Sequence, residues 1–82
     1  MKAVTGERWN YTLYSDGSSL YFVVVCGSVG IYEVAIELTA AENESYNIGG
    51  RQYLAELADT IRQSPDIYSS RNIKGFPIEQ HP

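Results

Sequence analysis

The chain has 82 residues, 44% of them hydrophobic and 20% charged, with ten acids against six bases for a net charge of −4. That length holds one domain, which buries about 60–65% of the surface its unfolded chain exposes, so few core positions can be spared. The apolar content excludes a disordered chain, and the acidic balance disfavours nucleic acid and anionic membrane surfaces while favouring a basic partner.

Residues 8–15 alternate, with Trp9, Tyr11 and Leu13 on one face and Arg8, Asn10, Thr12 and Tyr14 on the other, which predicts a first strand wet on one side. Asp16-Gly17-Ser18-Ser19 has the composition of a tight turn, and Leu20 to Cys26 is apolar on both faces, as a strand in the centre of a sheet would be. After a second turn at Gly27-Ser28-Val29-Gly30, Ile31 to Leu38 alternates again, with Tyr32, Val34, Ile36 and Leu38 inward and Glu33 and Glu37 outward. The prediction is a three-stranded antiparallel meander. Thr39-Ala40-Ala41-Glu42 has the form of a capping box and opens a short helix from Ala40 to about Tyr46. Gly49 and Gly50 break it. From Arg51 to Gln63, Leu54, Leu57, Ala58 and Ile61 form one apolar stripe, with Arg51, Gln52, Glu56, Asp59, Arg62 and Gln63 on the outer face. Ser64-Pro65 ends this longer helix and starts a last turn through Tyr68.

The expected fold is therefore α+β, one domain over residues 1–72 with both helices on one face of the sheet and an irregular tail over 73–82. Only one of two sets on the central strand, Leu20, Phe22, Val24 and Cys26 or Tyr21, Val23 and Val25, can lie under the long helix. The other set awaits the tail, a second protomer or a partner. The first residues lack the apolar run of a signal peptide, and the longest apolar stretch is far shorter than the roughly twenty residues of a membrane span. A lone cysteine fits a reducing compartment, so a soluble cytoplasmic protein is expected.

Catalytic equipment is missing from the pattern. Glu33 and Glu37 would stand about 13 Å apart along a strand, beyond the roughly 5 to 9.5 Å that paired carboxylates need for glycosyl transfer. Cys26 sits among valines with no neighbouring cation in sequence to lower its pKa, and the single histidine, His81, is near the end of the chain. One Cys, one His and scattered carboxylates have no ligand spacing for zinc or calcium, and the Gly27–Gly30 turn lacks the Lys-Ser/Thr pair and following helix of a phosphate cradle. No metal or cofactor is expected. Arg62, Arg71 and Lys74 are too few to bind nucleic acid and are expected to pair with the domain's own acids.

Recognition is better supplied. Glu33, Glu37, Glu42, Glu44, Glu56 and Asp59 face a single base, Arg51, over their stretch of chain, and Tyr32, Tyr46 and Tyr53 are set among them. Tyrosine offers large contact area with a polar tip at small entropic cost, and there are seven. Glu33, Glu37, Glu42 and Glu44 are the expected charged contacts to a basic protein, with Tyr32 and Tyr46 as anchors.

The run Leu20-Tyr21-Phe22-Val23-Val24-Val25-Cys26-Gly27 through Ile31-Tyr32-Glu33-Val34, with Tyr53-Leu54-Ala55-Glu56-Leu57-Ala58, Ile61-Arg62 and Pro65, resembles the small immunity proteins of bacterial contact-dependent growth inhibition and related polymorphic toxin systems. The resemblance implies a protein that blocks a toxin domain, often a nuclease with a basic cleft. Such immunity families share a task and no common motif, so no binding residue transfers by correspondence. The alternative is a structural protein that forms a homo-oligomer through an edge strand carrying Trp9 and Tyr11, or through the uncovered sheet face.

Overall fold

Lys2–Glu7 pairs as a strand, so the sheet has four strands where alternation predicts three. The structure is a computed structural model that describes residues 2–7, 10–26 and 32–73. Its elements are β1 (Lys2–Glu7), β2 (Tyr11–Ser15), β3 (Leu20–Cys26), β4 (Tyr32–Glu37), α1 (Ala40–Gln63) and α2 (Pro65–Ser69), and the sheet order is β1-β2-β3-β4, antiparallel throughout. The architecture is α+β with an antiparallel sheet and a long helix. β1 escapes a periodic reading because the register slips at Val4, between the pairs Ala3↔Tyr14 and Thr5↔Leu13. An extra residue there breaks the two-residue repeat. Two positions on, a Cβ on Gly6 would stand 2.9 Å from the Tyr11 carbonyl oxygen, so β1 can approach β2 only with glycine.

The first hairpin turn is tied by its own acid. Asp16 Oδ1 accepts the backbone N–H groups of Ser18 and Ser19 at 3.0 and 2.8 Å, while Oδ2 accepts the Tyr21 hydroxyl at 3.0 Å. The N–H groups of Ser18 and then Ser19 hold the Asp16 carboxyl down to about 2, and the bond to Asp16 raises the Tyr21 hydroxyl. The turn predicted over Gly27–Gly30 lies outside the described residues, as do Arg8, Trp9 and the chain from Lys74 onward.

β3 runs between β2 and β4, as its unbroken apolar run predicts. Phe22, Val24 and Cys26 face the helices together with Tyr11, Leu13, Val34, Ile36 and Leu38, and Leu54, Leu57, Ala58 and Ile61 of α1 close this layer. Burying each of the large residues stabilises the fold by about 1.5–3 kcal/mol. Tyr11 packs its ring on Phe22 at 5.3 Å and is 1% exposed, so it belongs to an inner strand and not to the exposed edge expected of it. Tyr32 also departs from expectation: it is the first residue of β4 and is 47% exposed, whereas Val34, Ile36 and Leu38 point inward as predicted.

The capping box forms, with Thr39 Oγ1 accepting the Glu42 N–H and Glu42 Oε1 accepting the Thr39 N–H. The first helical segment runs on past Tyr46 through Gly49, and the break falls at Gly50 alone, whose φ of 61° and ψ of −141° suit only glycine. α1 is thus two helical segments joined at that kink. Pro65 opens α2 as expected. Arg62, expected on the outer face, reaches the end of the sheet instead: Nε donates to the Val25 carbonyl and Nη2 to the Asn10 carbonyl, each at 2.9 Å, and Nη2 also meets Asn10 Oδ1.

The chain then returns to the outer edge of β4. Arg71 Nη2 donates to the Glu37 carbonyl at 3.0 Å, the Ala35 N–H donates to Asn72 Oδ1 at 2.9 Å, and the Ile73 N–H donates to the Ala35 carbonyl at 2.7 Å. Ile73, expected to begin an irregular tail, is therefore hydrogen-bonded to the sheet edge.

Candidate functional site

β-strand alternation puts Glu33, Ala35 and Glu37 on the face of β4 turned away from the helices, in register with Val25, Val23 and Tyr21 of β3. Val23, Tyr21 and Leu20 are in turn opposite Thr12, Tyr14 and Ser15 of β2. One row across this outer face reads Tyr14, Tyr21, Glu37, and beside it runs Thr12, Val23, Ala35. Val23 and Ala35 are 3% and 4% exposed, Tyr14, Tyr21, Val25 and Glu33 are half-buried, and Glu37 is exposed. Among the described residues both helices lie on the opposite side, since Tyr68 of α2 and the apolar stripe of α1 pack against the Phe22 layer.

The six residues expected to meet a partner fall into two groups. Glu33 and Glu37 share the outer face, with Tyr32 exposed at the far end of the same strand, about 17 Å from Glu37. Glu42, Glu44 and Tyr46 lie on the first segment of α1, on the helical side. Of these, Glu44 is exposed and Tyr46 packs against the core. Glu42 is already engaged, because Arg71 Nη2 and Nη1 donate to its two oxygens at 2.7 and 3.1 Å. Burial raises the Glu42 carboxyl, but the bonds from Arg71 and from the Thr39 N–H outweigh it and hold the group below its ordinary value. The Arg71 guanidinium also lies 5.6 Å from the Tyr68 ring centroid and is itself raised, chiefly by Glu42. Arg71 pairs with an acid of its own domain as expected, and so does Arg62, whose Nη1 lies 3.4 Å from Asp59.

Glu37 and Glu42 do come together, though through Arg71, which holds the backbone of one and the carboxylate of the other. Alternation alone shows Tyr14 and Tyr21 as members of the first hairpin. Joining them to Glu37 requires the register Tyr21↔Glu37, which only the pairing of β3 with β4 supplies.

No protein-family model, curated protein or solved structure matches the chain. Cys26 is 3% exposed, and burial pushes its thiol up, with Arg62 offsetting only part of that rise. Arg62 is a cation that linear sequence does not place beside it. Among the described residues no three of His, Cys, Asp and Glu gather where they could hold a metal ion, and no helix is long and apolar enough to cross a membrane. A surface hollow is lined by Lys2, Ala3, Val4, Ser15, Asp16 and Gly17, but the Ser15 hydroxyl accepts the Gly17 N–H and Asp16 is taken up as described. What remains chemically is a sheet face whose centre, Val23 and Ala35, is buried, with the half-buried Tyr14 and Tyr21 and the exposed Glu37 in the row beside it.

Proposed function

We propose that the protein is a non-enzymatic binding module, an immunity protein that neutralises a basic toxin domain such as a nuclease, and that it does so through the Tyr14, Tyr21 and Glu37 row at one margin of the outer sheet face. The row Tyr14, Tyr21, Glu37 carries this reading, because it sets two aromatic side chains beside an exposed acid on a backbone fixed by cross-strand pairing. Carboxylates held on such a strand occupy positions where a nuclease would otherwise take phosphate, and their field speeds association with a cationic cleft at low salt. Tyrosines supply the desolvated area that gives hot-spot energy. In this reading Glu33, Glu37 and Tyr32 make contacts, Glu44 adds to the field, and Glu42 and Tyr46 act by holding the first segment of α1 in place.

The test is capture of partners from the native source on the immobilised protein, at low and then moderate salt, beside a Glu33→Gln/Glu37→Gln variant. A single basic protein retained at near one-to-one by the wild type and lost from the variant is the expected result. Recovery of the bait alone as a defined oligomer would sink the proposal and favour self-assembly. That second reading has the β1 edge to work with, but the Val4 bulge, Lys2 and the bond from Arg51 to the Gly6 carbonyl all discourage edge pairing.

A further inference from the structure

A hollow of about 390 Å³ spans the kink of α1, lined among the described residues by Ser45, Ile48 and Gly49 of the first segment and Gln52, Tyr53 and Glu56 of the second. Its shape follows from the two glycines. Gly50 bends the helix, and Gly49 lacks the Cβ that would stand 3.0 Å from the Tyr53 Cβ, so the two segments draw together at that point. Ile48, on the rim, is 83% exposed, more than any other large apolar side chain among the described residues.

We propose that this hollow seats one aliphatic side chain of a basic protein segment, between Ile48 and Tyr53, with a lysine or arginine of that segment set against Glu56. The inference rests on the reading of a basic partner given above and adds a second place of contact, away from the sheet row. An exposed Ile48 alone would need no explanation; its place in a hollow beside unpaired acids does. Tyr53 packs against the core and gives the hollow a fixed wall, while Ile48 is held by little, so a guest side chain removes from water apolar area that the fold itself leaves exposed. The charge around the hollow has one sign. Glu56 lines it and Glu44 lies one helical turn before Ile48, and both are exposed and form no ion pair among the described residues. Arg51, the nearest base in sequence, is drawn away to β1, where it donates to the Gly6 carbonyl at 3.3 Å and meets Glu7 at 3.8 Å. A cationic segment therefore finds two carboxylates that the domain has not neutralised, whereas a second copy of this chain, with its own charge of −4, is repelled.

The experiment is amide NMR on the full isotopically labelled chain, titrated with three synthetic heptapeptides at millimolar concentration. The first has leucine at its centre with lysine on both sides of it and serine and glycine elsewhere; the second replaces the leucine by serine, and the third replaces both lysines by glutamate. The first is expected to shift the amides of Ile48, Gly49, Gln52 and Tyr53, and the other two to bind there at least fivefold more weakly. Ile48→Ser, a change at the surface, should weaken the first peptide about fivefold, and Glu56→Gln about threefold. Equal binding of the leucine and serine peptides would overturn the seating of a side chain. Shifts confined to Tyr14, Tyr21 and Glu37 would overturn the hollow and leave the basic-partner reading standing. Failure of all three peptides to bind overturns the hollow, and the capture experiment above then decides the basic-partner reading separately. If Ile48→Ser does not fold, the leucine-over-serine preference of the wild-type chain decides the matter.

Discussion

Arg62 Nε donates to the carbonyl oxygen of Val25 across a 2.9 Å contact, which fastens the last turns of α1 to the end of β3. The same guanidinium holds Asn10 by its carbonyl, so one side chain ties the helix to two strands. Arg62→Ala leaves those carbonyls without this donor and should cost about 2–3 kcal/mol, read as a lower urea midpoint at unchanged slope. Arg62→Lys should recover less than half of that, because an ammonium cannot present the planar fork that reaches both strands.

Acid should unfold the domain in a defined window. Glu42 and Asp16 both have folded pKa values below their ordinary 4.5 and 3.8, Asp16 at about 2. The folded state therefore binds fewer protons than the unfolded state below pH 4.5. Their contribution to stability is complete above that pH and is lost progressively as pH falls toward 2. Urea midpoints measured from pH 7 to pH 2 check the sign. Arg71→Ala, which removes the partner of Glu42, should cost about 1–2 kcal/mol at pH 7 and less at pH 2.

Removing an atom should help at Tyr11. Its ring is 1% exposed and its hydroxyl finds no hydrogen-bond partner among the described residues. Tyr11→Phe keeps the ring against Phe22 and discards the unpaired hydroxyl, a gain of about 1 kcal/mol that calorimetry would register as a rise of roughly 4–8 °C in Tm. A fall would mean that the hydroxyl is satisfied in solution.

Gly50→Ala isolates backbone strain from packing. A Cβ built there meets no atom within 4 Å, but φ of 61° with ψ of −141° is closed to an L side chain. The variant should lose about 1–3 kcal/mol in thermal melts followed by circular dichroism. A loss below 0.5 kcal/mol would show that the two helical segments can straighten at no cost.

How far the fold can be read from sequence depends on how local each determinant is. β3 is legible because seven consecutive apolar residues admit one place in a sheet, and the start of α1 is legible because Thr39 and Glu42 complete each other within one turn. β1 is not, since the Val4 bulge destroys its period and its side chains are almost all exposed. At the candidate site, Glu33 and Glu37 can be recognised as outward-facing from alternation alone. The engagement of Glu42 depends on Arg71, 29 positions away, and the row Tyr14, Tyr21, Glu37 depends on the register of three strands. Long side chains such as Arg62 are the hardest to place, because their reach lets them leave the face that helical periodicity assigns them.

The Asn72 and Ile73 bonds to β4 also set an order for synthesis. Asn72 follows its partner Ala35 by 37 positions, so the ribosome completes the strand well before it makes the residues that bond its edge. At about 5–20 residues per second that interval lasts roughly 2 to 7 seconds. These bonds therefore form only after Asn72 and Ile73 have left the ribosome, and until then Glu33 and Glu37, translated with the strand itself, set like charges against the pairing of two such edges.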